Sequence, residues 1–162
     1  MERVSWFGCL CLLLLAGCAG GGTRRHPVHY PSGISAYESS QQCAPYARSQ
    51  TGVDLKGDAG DWWRQARGKY RRSYHPRAGA ILVFRATRHM PSGHVSIVRQ
   101  VRSSRRITVE HANWVPGHVE MDVPVIDVSA RHNWTSVRVW WSPSNKWGQR
   151  IYPTYGFILP RG

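Results

Sequence analysis

Acidic residues are scarce: nine Asp and Glu stand against 22 Lys and Arg, giving a formal net charge of +13 and a pI near 10.5. An acidic docking surface on this chain is excluded, and a polyanionic partner is favoured: nucleic acid, anionic lipid or anionic cell-wall polymer. Charge alone does not choose among these. No basic run is interleaved with aromatics as a nucleic-acid groove requires, and arginines spread along the whole length, so scattered solvated arginine fits equally well. Long apolar runs are also lacking: the stretch Val4 to Ala16 is too short to span about 30 Å of hydrocarbon as a helix. The eight histidines show no i,i+4 pair and no cysteine pair accompanies them, which argues against zinc. Internal repeats are absent. Cysteine is rare, with three of the four (Cys9, Cys11, Cys18) in the first eighteen residues and only Cys43 beyond them.

What is present at the N-terminus explains that distribution. "MERVSWFGCLCLLLLAGCAGGG" has a short polar start with Arg3, an apolar core and a small-residue end, the layout of a secretory signal. Its close, Leu15-Ala16-Gly17-Cys18, resembles the lipobox of bacterial lipoproteins. That resemblance implies cleavage before Cys18, lipidation of Cys18, and, with Ala19 following, sorting to the outer membrane. The expected organisation is therefore a signal peptide over 1–17, a lipidated Cys18 with a Gly/Pro-rich tether to residue 33, and one domain over 34–162. In the exported chain Cys43 has no partner, and an unpaired thiol in an oxidising compartment suggests use.

Downstream of the tether, Ala44 to Gln50 reads as a helix, with Pro45 in its first turn and Gly52 as its stop. A second helix is predicted over "DWWRQARG". Strands follow: "AGAILVF", "GHVSIVRQV", "RRITVEHANW", "VEMDVPVIDV" and "SVRVWWS". The closing "YPTYGFILP" is expected to pack over the sheet. Helices first and strands afterwards predict an α+β domain.

Cys43 falls at a helix N-terminus, where the helix dipole and free N–H groups are expected to lower the thiol pKa by several units. His94, opening a strand after the turn "PSG", is the candidate general base. In "VEHANW" strand parity places His111 and Asn113 with Val109 and sends Glu110 to the other face. An inward His or Asn is costly unless hydrogen-bonded, so these residues are candidates to orient His94.

"QQCAPYAR", "PSGHVSIV" and "VEHANW", in that order, resemble the CHAP family of cysteine- and histidine-dependent amidases and peptidases, within the wider NlpC/P60 group. The resemblance implies a papain-like α+β fold: N-terminal helices packed on an antiparallel sheet of about five to six strands. It implies Cys43 as nucleophile and His94 as proton shuttle. The family's usual E-x-N is here His111-x-Asn113, a departure that leaves His111, Asn113 or Glu110 to orient the base, with parity favouring His111. Oxyanion donors would include the Cys43 N–H with Gln42 or Tyr37. The expected substrate is peptidoglycan, cut at an amide bond through a thioester, with no cofactor and no metal. The membrane is the expected partner through Cys18, nucleic acid is not, and the expected state is a monomer.

Bland readings stand beside these. Cys43 can be an inert core thiol, and His94 and His111 structural histidines. Asp54, Asp58 and Asp61 lack the dense pattern of a calcium loop and suit turns and caps. One of Trp62 and Trp63 is expected in the core. Trp114, Trp134, Trp140, Trp141 and Trp147 are core by default. Other functions on the same machinery remain open: a deamidase, transpeptidase or peptidase acting on a protein, or a non-catalytic wall-binding lipoprotein.

Overall fold

Helix α1 (Cys43–Thr51) begins and ends where its punctuation predicts. Gln42 precedes it in extended conformation, and Gly52 follows at φ 67°, donating its N–H to the Arg48 carbonyl. The computed structural model describes residues 34–35 and 42–161. The expected signal peptide, Cys18, the tether and Tyr37 lie outside the described residues. The second predicted helix shrinks to a 3-10 turn (Ala59–Asp61) running into α2 (Trp62–Gln65), with Trp62 fully buried and Trp63 half-buried.

The strands are β1 (Ile34–Ser35), β2 (Arg71–Ser73), β3 (Ile81–Phe84), β4 (His94–Ser103), β5 (Arg106–Ala112), β6 (Val119–Asp127), β7 (Ser136–Trp141), β8 (Lys146–Trp147) and β9 (Tyr152–Leu159). Here the expected fold class is overturned. The chain does not form an α+β layer of helices on an open papain-like sheet. Six antiparallel strands close on themselves in the order β6-β5-β4-β3-β9-β7, with β7 pairing back onto β6. Among the described residues the result is a small closed barrel carrying two short helices. The segment expected to lie over the sheet is itself the strand that closes it: β9 sits between β3 and β7. Closure removes the edges that an open sheet exposes.

Period-two alternation divides the apolar residues between two cores. On β3, Leu82 and Phe84 point into the barrel, packing with Val109, Val125 and Phe157. Ile81 and Val83 point outward beneath the helices, against Ala47, Leu55 and Trp62. On β4, Val95 and Ile97 share that outer core. Each such buried side chain contributes about 1.5–3 kcal/mol relative to exposure. All four residues of β3 are buried because it is covered on both faces, which is why "ILVF" reads as an unbroken apolar run.

One irregularity matters for the site. Between β5 and β6 the register runs Val109↔Val123 and then His111↔Glu120. One residue of β5 is thus set against two of β6, Met121 and Asp122, with Asp122 at φ 53°. This is a β-bulge. It brings Glu120 to the same face as Val123, toward the barrel interior, although plain alternation from Val123 would send it outward.

Candidate active site

Cys43 and His94 reach one place from opposite sides of the sheet. Cys43 opens α1 and packs against the outer core; His94 is the first residue of β4, opposite Phe84. Both line a cleft of about 790 Å³ together with Gln42, Asn113, Trp114 and Tyr152. The position of His94 depends on Gly93, which sits at φ 67° with the Gly60 backbone and the Phe84 carbonyl against it. The turn is tied to the 3-10 segment by the Gly60 N–H donating to the Ser92 carbonyl at 2.8 Å.

Behind His94 lies a buried polar row. His94 Nε2 is 3.2 Å from His111 Nδ1, and the Ser96 hydroxyl is 2.9 Å from the same nitrogen. On the far side, His111 Nε2 is 3.6 Å from Glu120 Oε2. All four residues are buried. Aromatic rings wall the row: Trp114 stacks on His111 at 5.3 Å and leans on His94 at 5.0 Å, and Phe84 meets His94 edge-on at 5.5 Å.

The other predicted residues separate. Asn113 lies past the end of β5 at φ 60°, so strand parity does not govern it. Its Nδ2 donates to Gln42 Oε1 at 3.0 Å and its Oδ1 accepts the Gly117 N–H at 2.9 Å. Asn113 therefore ties the residue before the thiol to the 113–118 turn rather than joining the His94–His111 pair. Glu110 points away from the pair, as parity predicts, and pairs with Arg99 at 3.2 Å. Sequence reasoning missed Glu120, since only the bulge turns it inward. It also placed Trp114 in the core, whereas Trp114 is half-buried and lines the cleft. Among the tryptophans assigned to the core by default, Trp134 is fully buried, but Trp140 and Trp147 are half-buried and Trp141 is exposed.

The protonation states differ from the simple helix-dipole expectation. Burial pushes the Cys43 thiol up, and hydrogen bonds from the backbone at Val95, Ala44 and Cys43 itself only partly counter it. Burial, with the neighbouring His111, holds His94 well below the ordinary histidine range. His111 is lowered by burial, partly restored by Glu120. At neutral pH the resting site therefore holds a neutral thiol beside a neutral imidazole, and His94 is free to accept a proton.

These shifts also set the acid stability. An unfolded histidine takes up a proton near pH 6.5, which folded His94 refuses, so acid favours the unfolded chain below that pH. Stability is expected to fall between pH 7.5 and pH 5. His94→Gln should make that fall shallower, read from urea unfolding at both pH values. An unchanged pH dependence in the variant would show that His94 is not held neutral.

A model of the CHAP domain matches residues 33–113, half of the chain. The chain belongs to the CHAP domain family. The match spans Cys43, His94, His111 and Asn113 and ends before Glu120. The CHAP domain is also similar to the solved structure of an N-acetylmuramoyl-L-alanine amidase from Staphylococcus aureus, at 22% identity and a TM-score of 0.44. That likeness covers 84% of this chain and 35% of the other, so the CHAP chain spans about a third of the amidase's length. No curated protein matches it.

Proposed function

We propose that this CHAP domain is a cysteine-dependent peptidoglycan hydrolase that cuts an amide bond, as an N-acetylmuramoyl-L-alanine amidase or as an endopeptidase of the stem or cross-bridge. The observation that carries the reading is the meeting of the Cys43 helix end and the His94 strand end in one cleft, with His94 backed by His111. Cys43 Sγ attacks the amide carbonyl carbon as its proton passes to His94. Negative charge develops on the carbonyl oxygen, where the Cys43 N–H and the Gln42 amide donate. Gln42 suits this role because its oxygen is engaged by Asn113, which directs its NH2 group elsewhere. The C–N bond breaks, the amine departs with the proton from His94, and a thioester remains on Cys43. Water then attacks the thioester, giving a proton to His94; the acid is released and the thiol is restored.

The cleft suits an anionic polymer, since among the described residues Arg48 and Arg150 line it against the single acid Asp58. Tethering through a lipidated Cys18 at the outer membrane would confine the enzyme beside the wall. The test is digestion of purified sacculi by the full chain under reducing conditions, with released fragments weighed by mass spectrometry. Fragments that vanish after alkylation of the thiol support the reading, and their masses name the bond. No release between pH 5 and 8 would sink it.

A further inference from the structure

The CHAP match ends at Asn113, yet the buried row continues past it to Glu120. The Glu120 carboxylate is fully buried on β6, directly opposite His111 in the sheet register. A carboxylate there is costly unless it serves its neighbours or they serve it. Burial raises its pKa, but His111, the Ser142 hydroxyl and the Val115 N–H together bring it below the ordinary glutamate value. The Val115 N–H lies 3.3 Å from Oε2. Glu120 is therefore ionised at neutral pH. Its 3.6 Å separation from His111 Nε2 is longer than a hydrogen bond, so the contact is electrostatic.

That charge decides which nitrogen of His111 carries the proton. If it were Nδ1, the Nε2 lone pair would face a buried anion. With the proton on Nε2, the N–H dipole points at Glu120 and Nδ1 is left as an acceptor. Nδ1 is the atom that His94 Nε2 and the Ser96 hydroxyl approach. His94 then donates from Nε2, and its Nδ1 is left as the bare, basic nitrogen. We infer that Glu120 is a positioning residue that fixes the tautomer of His111 and, through it, the tautomer and basicity of His94. The row is thus Cys43, His94, His111 and Glu120, with the last two acting without touching substrate. A negative charge at its end also stabilises the imidazolium that forms on His94 during thiol attack.

This inference rests on the proposed nucleophile and base, so its test avoids the cell wall. The rate of Cys43 alkylation by iodoacetamide is measured against pH in the full native chain and in Glu120→Gln, which keeps the shape and removes the charge. At pH 7 the reactive thiolate arises by proton transfer to His94, so the variant, whose imidazolium lacks the Glu120 charge, is expected to react at least about five-fold more slowly. On sacculi it should lose about 10- to 100-fold in kcat with KM little changed. Nitrogen-15 NMR of the native chain at pH 7.5 should show His111 protonated on Nε2, a measurement that stands even where the variant fails to fold. An alkylation profile identical to the native one, or His111 protonated on Nδ1, overturns the inference. If native sacculi digestion fails while the slower alkylation is seen, the substrate reading falls and the role of Glu120 stands.

Discussion

Cys43→Ala is expected to lower release from sacculi by at least about 10⁴-fold, to the level of a control without enzyme, while the domain unfolds where the native one does. The loss is large because in the proposed reaction the thiol forms the covalent bond; removing it leaves only orientation and oxyanion contacts. The fold is spared for a separate reason. Cys43 is half-buried at the first turn of α1, and alanine is the best helix former, so the lost sulfur contact and the gained propensity nearly cancel, within about 1 kcal/mol. Cys43 is the free cysteine among the described residues, so no second thiol stands ready to replace it there. Release that survives in a well-folded Cys43→Ala would place the nucleophile elsewhere, or make water the attacking group. Cys43→Ser is the finer probe: the hydroxyl keeps the shape, and its far higher pKa should still remove nearly all turnover.

Gly93→Ala is expected to cost about 3–5 kcal/mol, enough to unfold much of the population at ambient temperature. Two effects add. The residue sits at φ 67°, which costs a side-chain-bearing residue about 1–2 kcal/mol. A Cβ there would also lie 2.6 Å from both Cα and N of Gly60 and 2.8 Å from the Phe84 carbonyl oxygen. All three are backbone atoms, so no side-chain rotation relieves the clash. Gly52→Ala is the control, having the same φ of 67° but nothing within 4 Å of the added carbon. It should cost only about 1 kcal/mol. Equal losses for the two variants in urea unfolding would show that conformation alone, not the Gly60 contact, governs Gly93. Because Gly93 directly precedes His94, whatever folded Gly93→Ala remains should also have a displaced base and reduced turnover.

Both effects start from residues that the sequence singles out, the lone thiol and the "PSGH" turn, and local physics is the reason they were legible there. A helix with proline in its first turn and glycine at its end is written in neighbouring residues, and α1 forms as they direct. Strand alternation is equally local, and it correctly puts His94, Ser96 and His111 on one side and Glu110 on the other. The pairing of Cys43 with His94 followed from a scarce residue type at a defined helix end and a histidine at a strand start.

Other features arise only from long-range pairing. Alternation says that a strand has two faces, not which strand it joins. The barrel closes because β9 inserts between β3 and β7 and β7 turns back onto β6, contacts between residues far apart in sequence. Nothing local distinguishes that ring from an open sheet under helices. Asn113 was misassigned by parity because the chain leaves the strand at that residue, at φ 60°. Glu120 was invisible for a related reason. In "VEMDVPVIDV" simple alternation turns it outward, and a single bulge at Asp122 reverses the phase and sets it behind His111. The sequence by itself determined the helix, the main strands, and the placing of Cys43 at a helix start and His94 at a strand start, because each is set by residues within a few positions of one another. Only the tertiary structure decided the closure of the barrel and the last member of the buried row, because register between distant strands sets both.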